Sequence, residues 1–243
     1  MTTALRRYWP DRAQHREVWA LAWPMMLSSI TVPLLGLVDT AVIGHVPEGH
    51  HLGAVAVGAM IFSILYWAFG FLRMGTTGLT AQAYGEQDGA KNRLQLDQSL
   101  VMGAVIGLLI ILLQTPIIEL ALQLMDAAPD VTEEARAYAE WRILGAPAVL
   151  CNYALLGWFV GNQNTRIPLV LLLVTNLSNM VLDIIAVYGL GMFADGIAAA
   201  TVIAEYLSLA MGLYFSRRVL RKTDGELNRT RLWRWQDYYQ LVV

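Results

Sequence analysis

Four long stretches of this chain contain no charged side chain, and they constrain its fold more than any other feature. They lie between Glu17 and Asp39, Glu48 and Arg73, Asp97 and Glu119, and Arg142 and Arg166, and hold 21, 24, 21 and 23 residues. A helix of about 20 mostly apolar residues spans a bilayer, so each stretch is long enough to do so. Two further stretches, 167–194 and 196–216, contain one acid each, Asp183 and Glu205.

We therefore predict an all-α integral membrane protein with six transmembrane helices. A soluble bundle of six buried helices is the alternative, but soluble domains carry about 25% charged residues, whereas this chain carries 15%. The predicted helices, called spans 1 to 6, cover residues 18–44, 50–72, 98–122, 143–163, 167–190 and 196–216. Residues 1–17 form an arm before this lobe, and residues 217–243 form a basic segment after it.

The lysines and arginines orient the predicted bundle. Of the 17 in the chain, 15 lie in the arm, the connection 73–97, the turn after span 4 and the basic segment. The two others, Arg136 and Arg142, lie in the connection before span 4. By the positive-inside rule, both the N-terminus and the basic segment face the cytosol.

Small residues and prolines within the spans predict how the helices pack and bend. Pairs of glycines four residues apart allow close helix approach, and they occur as Gly103 with Gly107 and as Gly157 with Gly161. Proline removes a helical hydrogen bond and can bend a helix. The prolines within or at the start of the spans are Pro24, Pro33, Pro116, Pro147 and Pro168.

Acidic side chains at membrane depth are costly, so they are functional candidates by default. At about 1.5 Å per residue, Asp39 and Asp183 lie roughly 8 to 11 Å below the outer ends of spans 1 and 5. Thr201 falls at a similar depth in span 6. These three groups therefore form a polar level in the outer half of the bundle.

Helical spacing adds further polar groups to this level. Asn176, Asn179 and Asp183 are three and four residues apart and share one face of span 5, and Thr201 and Glu205 are four apart on span 6. These oxygen and amide groups suit a proton or an alkali cation better than a transition metal. The alternative is that each acid is protonated and serves only packing.

At these residues the sequence resembles the multidrug and toxic compound extrusion (MATE) transporters, in particular the DinF-like branch. The matching segments are PMMLSSITVPLLGLVDTAVIGH at 24–45, GLTAQAYG at 78–85, Tyr138, and NMVLD at 179–183. They follow one another across spans 1 to 6 in the family's order.

The resemblance implies a secondary antiporter that exports organic cations or amphipathic compounds in exchange for H⁺ or Na⁺. The family's acidic network maps onto Asp39, Tyr138, Asn179, Asp183 and Thr201. A possible Na⁺ site consists of Asp39, Asn179, Asp183 and Thr201, and possible additional coupling residues are Asn176 and Glu205. Pro24 matches a hinge proline of span 1. The resemblance implies no cofactor and no enzymatic activity.

MATE transporters have two six-helix lobes, and this chain has the length of one. We expect a second lobe as partner, supplied by the missing C-terminal half of a truncated chain or by a homodimer. The bilayer and small organic cations are the other expected partners, and no nucleic acid is expected. The expected location is a bacterial inner membrane. The alternatives are a lipid-linked oligosaccharide flippase of the same superfamily and a non-transporting membrane scaffold.

Overall fold

The computed structural model describes residues 50–221, Leu241 and six helical positions between Arg16 and Met26. Most of span 1, including Pro24 and Asp39, lies outside the described residues. Within the described part the secondary structure is entirely helical. The helices are α1 (His50–Trp67), α2 (Phe71–Gly85), α3 (Gly89–Leu112), α4 (Gln114–Met125), α5 (Pro129–Arg142), α6 (Ala146–Gly161), α7 (Arg166–Ile184) and α8 (Ala194–Leu220).

Five helical segments of this region are long and apolar enough to cross a membrane. They are His51–Gly85, Gly89–Leu112, Pro129–Gly161, Arg166–Gly189 and Ala194–Leu220. They correspond in order to spans 2 to 6, which confirms the predicted all-α membrane fold. In three segments one end of the helix lies nine residues or more beyond the predicted end of the span. The predicted span stops at a charged residue, whereas the helix continues past it. These charged residues are Arg73, Asp97 and Arg142.

Two of the prolines that were expected to bend the spans lie beside interruptions of the long helices. A proline ring clashes with the carbonyl four residues earlier. Helix α3 accordingly ends at Leu112, four residues before Pro116. A 3₁₀ turn at Ile143–Gly145 joins α5 to α6 and begins four residues before Pro147. Both interruptions agree with the predicted bending.

Local signals also fix where the helices begin and end. The Asp88 carboxylate accepts a hydrogen bond from the Lys91 amide at 2.9 Å and caps α3. Helix α5 begins with Pro129. Proline has no amide proton, and none is needed here, because amides of the first turn have no acceptor within the helix. Asp126 ends α4 in the left-handed conformation, with φ of 44°. These short connections force neighbouring segments to run antiparallel.

Two of the five membrane segments consist of two helices each, α1 with α2 and α5 with α6. We call them the broken segments, and they run side by side in the same direction. Helix α1 packs on α5, α2 packs on α6, and α8 packs along both α5 and α6. The predicted glycine pairs lie at helix contacts, Gly157 with Gly161 between α6 and α2, and Gly103 with Gly107 between α3 and α6. A Cβ on Gly157 would lie 2.5 Å from the Arg73 carbonyl oxygen, and one on Gly161 would lie 2.6 Å from Thr80 Cβ. The prediction of close helix approach is confirmed.

Apolar side chains fill two buried clusters and also cover much of the outer surface. The larger cluster lies among α1, α5 and α6, and the smaller one contains Leu155, Trp158 and Phe159. Trp67, with 81% of its surface exposed, and Leu112, with 78%, face outward. Such an apolar exterior suits lipid contact and encloses the polar groups between α5, α7 and α8.

Candidate functional site

The centre of the candidate site is the side-chain amide of Asn179, which joins two helices. Its Nδ2 donates to Asp183 Oδ1 on the same helix, at 3.2 Å, and to Thr201 Oγ1 on α8, also at 3.2 Å. The Thr201 hydroxyl donates in turn to the Ile197 carbonyl at 2.9 Å, which leaves its oxygen free to accept from Asn179. Three residues predicted from helical spacing are therefore in one hydrogen-bonded group.

The acid of this group is completely enclosed. Asp183 has 0% exposed surface and Asn179 has 1%, while Asn176, one turn earlier on the same face of α7, is also buried. A π-helical turn at Ile185–Gly189 begins two residues after Asp183 and shifts the helical register beside the site. Turns of this kind are frequent at functional positions.

Tyr138 lies buried on α5, and a glycine of α1 makes room for it. The ring of Tyr138 occupies the space that a Cβ at Gly58 would fill. Any larger residue at position 58 would displace this ring. The sequence predicted Tyr138 as a site residue, whereas Gly58 is a supporting residue that sequence reasoning missed.

A second acid, Glu205, is paired with an arginine that sequence analysis had assigned to a connection. Arg142 Nη1 donates to Glu205 Oε2 at 2.9 Å, and Arg142 Nη2 donates to Glu205 Oε1 at 2.6 Å. Arg142 has 8% of its surface exposed and Glu205 has 9%. This two-point ion pair lies inside the bundle and joins α5 to α8.

Aromatic rings of α1 enclose the guanidinium of Arg142. The arginine Cζ lies 5.6 Å from the centre of the Phe62 ring and 5.4 Å from that of Tyr66. Cations are attracted to aromatic faces at these distances. Arg142 therefore contacts α1 as well as α8.

Helix α8 makes further hydrogen bonds to the 3₁₀ turn and to α6 at the same place. Asn152 Nδ2 donates to the Glu205 carbonyl at 3.1 Å, and the Tyr206 hydroxyl donates to the Leu144 carbonyl at 3.0 Å. Gly145 supplies the space, because a Cβ there would lie 2.5 Å from Glu205 Oε2. Residues 205 and 206 thus attach α8 to the α5–α6 segment by four hydrogen bonds in the described part of the chain.

The ion pair lies one helical turn from the Asn179 group. Tyr138 precedes Arg142 by four residues on α5, and Thr201 precedes Glu205 by four residues on α8. The two helices run in parallel, and four residues of α-helix rise about 6 Å. Tyr138 and Thr201 are therefore at one level, and the bonded Arg142 and Glu205 are at the next.

The remaining predicted site residues are one buried amide and two positions outside the described region. Asn176 is buried, and within the described residues its Nδ2 has no hydrogen-bond partner. Asp39 and Pro24 lie outside the described residues. The structure brings together oxygen atoms of Asp183, Asn179 and Thr201. Oxygen ligands of this kind suit a proton or an alkali cation.

Arg142 is the main residue that sequence reasoning missed. Its charge comes directly before the uncharged stretch of span 4, so Arg142 was interpreted as the last residue of the preceding connection. A usable signal existed, because Arg142 lies four residues after Tyr138 and therefore on the same helix face. An acid within span 6 also requires a partner, and Arg142 supplies it.

Comparison with known proteins identifies the family. The family profile described as MatE matches residues 24–185. The chain belongs to the MatE family. It is 51% identical over 221 residues to the DNA damage-inducible protein F of Escherichia coli K12, which covers 90% of this chain and 48% of that protein. It is also 24% identical over 201 residues to the multidrug export protein MepA of Staphylococcus saprophyticus, covering 83% of this chain and 44% of MepA.

Solved structures give the same fold. A multidrug resistance MATE family transporter in an outward-facing conformation matches with a TM-score of 0.80 and 24% identity, over 93% of this chain and 50% of that one. A MATE in the bent conformation also matches with a TM-score of 0.80, at 22% identity and the same coverage. The chain spans about half the length of the relatives it matches, as one lobe of a MatE transporter would. This MatE chain is a multi-pass integral membrane protein.

Proposed function

We propose that this chain forms the N-terminal lobe of a secondary multidrug antiporter. The antiporter exports organic cations or other amphipathic compounds in exchange for H⁺ or Na⁺. The coupling ion binds among Asp39, Asn179, Asp183 and Thr201, with Tyr138 beside them. The lobe resides in a bacterial inner membrane with its N-terminus in the cytosol, and a second six-helix lobe completes the substrate cavity.

The observation that carries this proposal is the Asn179 amide, which holds the Asp183 carboxylate and the Thr201 hydroxyl together across two helices. A fully buried carboxylate within a membrane segment is expensive unless it binds a partner. Either a proton or Na⁺ can neutralise it. The predicted depth of Asp39 adds a second carboxylate at this level.

Exchange follows from competition for this negative charge. When the coupling ion occupies the site, the lobe has no free carboxylate to attract a cationic substrate. When the ion leaves, the carboxylates become available to attract it, and electrostatic attraction is strong in an interior of low dielectric constant. Ion entry therefore favours release of the substrate, as export requires.

The test is efflux from proteoliposomes that contain a two-lobe transporter with this chain as its N-terminal lobe. We expect Asp39→Asn and Asp183→Asn to abolish gradient-driven efflux of a fluorescent organic cation, because an amide cannot bind or release the coupling ion. Asp130→Asn is the matched control, since Asp130 is an exposed acid in the first turn of α5. Its efflux should equal that of the unmodified protein.

Separate H⁺ and Na⁺ gradients in the same vesicles identify the ion. Only the gradient of the coupled ion should drive efflux, and dissipating it with an ionophore should stop transport. Unchanged efflux in Asp183→Asn would overturn the antiport mechanism. It would favour a transporter in which this acid takes no part in coupling. No efflux from the unmodified protein would instead favour the scaffold or flippase alternative.

A further inference from the structure

The proposed antiport site needs its parts held in register, although they lie on separate helices. Asn179 and Asp183 are on α7, Thr201 is on α8 and Tyr138 is on α5. The described hydrogen bonds connect α7 to α8 directly through Asn179. They connect α8 to α5 through the Arg142–Glu205 pair.

We propose that Arg142 and Glu205 are positioning residues for the coupling-ion site, which they serve by fixing the register of α8 against α5. This inference rests on the proposed function and extends it to a second pair of residues. Glu205 acts here as the partner of Arg142 rather than as an ion ligand. The pair sets the level of Thr201 and Tyr138, each of which lies one turn away on the same two helices.

The geometry of the pair suits this role better than a role in solubility or surface charge. Two parallel hydrogen bonds fix the relative orientation of the guanidinium and carboxylate planes, which a single contact would not do. The Asn152 and Tyr206 hydrogen bonds attach the same turn of α8 at two further points. Sliding α8 by one residue would break all of these bonds together.

The contacts with α1 extend the same constraint to a fourth helix. Phe62 and Tyr66 of α1 also contact the guanidinium of Arg142. Another α1 residue, Gly58, receives the ring of Tyr138. Helix α1 thus contacts both the positioning pair and the residue one turn from it.

Gly145→Ala tests the inference without removing a charge. The new Cβ would lie 2.5 Å from Glu205 Oε2 and would push that oxygen out of the two-point pair. We expect the concentration of H⁺ or Na⁺ that gives half-maximal efflux to rise by about 10- to 100-fold, the usual effect of removing groups that orient ligands. The maximal rate at saturating ion should stay close to that of the unmodified protein.

A double variant separates positioning from simple stability. Replacing both charges, as in Arg142→Met with Glu205→Leu, leaves no unpaired charge, and such apolar replacements of buried pairs often fold well. We expect this variant to keep the melting temperature of the unmodified protein and still to show the raised half-maximal ion concentration. Unchanged ion dependence in this double variant would overturn the inference.

The matched control is an exposed ion pair that joins α4 to α5. Arg136 Nη1 donates to Glu119 Oε1 at 2.6 Å, and both side chains are more than a third exposed. Arg136→Gln with Glu119→Gln should leave the ion dependence unchanged. Asp183→Asn is run in the same assay. If it leaves efflux intact, the proposed function fails. If it abolishes efflux while Gly145→Ala and the double variant behave like the unmodified protein, only the positioning role fails.

Discussion

The Asn179 side chain shows how much one amide contributes at the scale of a single residue. An amide provides two donor protons and one acceptor, and here the donors reach a carboxylate on its own helix and a hydroxyl on the next. An aspartate at this position would place two carboxylates within about 3 Å and force them to share a proton. The neutral amide instead donates to Asp183 without adding another acid to the group.

Asn179→Ala should remove both hydrogen bonds, including the one that the amide donates to the Asp183 carboxylate. We expect ion-driven efflux at a limiting gradient to fall by about tenfold or more, since loss of one such donor typically weakens ion binding to that degree. The measurement is the initial efflux rate as a function of the ion gradient.

Ser178→Ala is the control for this variant. The Ser178 hydroxyl donates to the Val174 carbonyl within α7, and among the described residues it makes no hydrogen bond to another helix. Its removal should leave the ion dependence unchanged. Equal rates for Asn179→Ala and Ser178→Ala would contradict a role for the amide bridge.

Much of the candidate site was predictable, and the reason is geometric. The spacing of Asn176, Asn179 and Asp183 places them on one helix face, and the depth of Thr201 follows from the helical rise. The Arg142–Glu205 pair was not predictable in the same way, because it depends on which helices are neighbours. Periodicity specifies faces and depths, whereas lateral packing depends on the whole bundle.

At the scale of helices, one glycine pair determines how closely the α1–α2 and α5–α6 segments pack. Gly157 and Gly161 of α6 face the backbone of α2, where Arg73 and Thr77 present carbonyl oxygens. A carbonyl within a helix cannot move away without breaking the helix. The absence of side chains at these two positions therefore fixes the spacing of α2 and α6.

Gly157→Ala should destabilise the lobe, because its Cβ would lie 2.5 Å from the Arg73 carbonyl oxygen. Overpacking of this kind costs about 1–3 kcal/mol. We expect a lower melting temperature in detergent, measured by intrinsic tryptophan fluorescence. Gly78→Ala is the control, since nothing lies within 4 Å of the corresponding position. A Gly78→Ala protein that melts as low as Gly157→Ala would show that the packing contact is not the cause.

Helix ends were less predictable than the existence of the helices. Pro116 and Pro147 correctly indicated interruptions. Arg73 and Asp97 did not end their helices, because backbone hydrogen bonding continues regardless of side-chain charge. A membrane segment ends where the chain leaves the lipid, whereas a helix ends where its backbone hydrogen bonds stop. The two boundaries therefore need not coincide.

At the scale of the whole molecule, the orientation in the membrane is the clearest untested consequence of the sequence. The single cysteine, Cys151, is buried, and its thiol donates to the Leu100 carbonyl at 3.6 Å. The chain is therefore a convenient background for accessibility labelling. Exposed positions at the two ends of the bundle are Glu86, after α2, and Ala128, before α5.

We expect Ala128→Cys to react with a membrane-impermeant maleimide in intact spheroplasts, because the positive-inside rule places this connection outside. Glu86→Cys should react only after the membrane is opened. The unmodified chain should stay unlabelled in both cases. Labelling of Glu86→Cys in intact spheroplasts would reverse the predicted orientation.

The buried ion pair also has a consequence for biosynthesis. Glu205 follows Arg142 by 63 residues. Because protein synthesis proceeds at about 5–20 residues per second, Glu205 is synthesised roughly 3 to 13 s after Arg142. During that time an unpaired arginine near the middle of a membrane helix costs about 2.5–3.5 kcal/mol. The Pro129–Gly161 helix is therefore less stable in lipid until α8 is inserted and supplies Glu205.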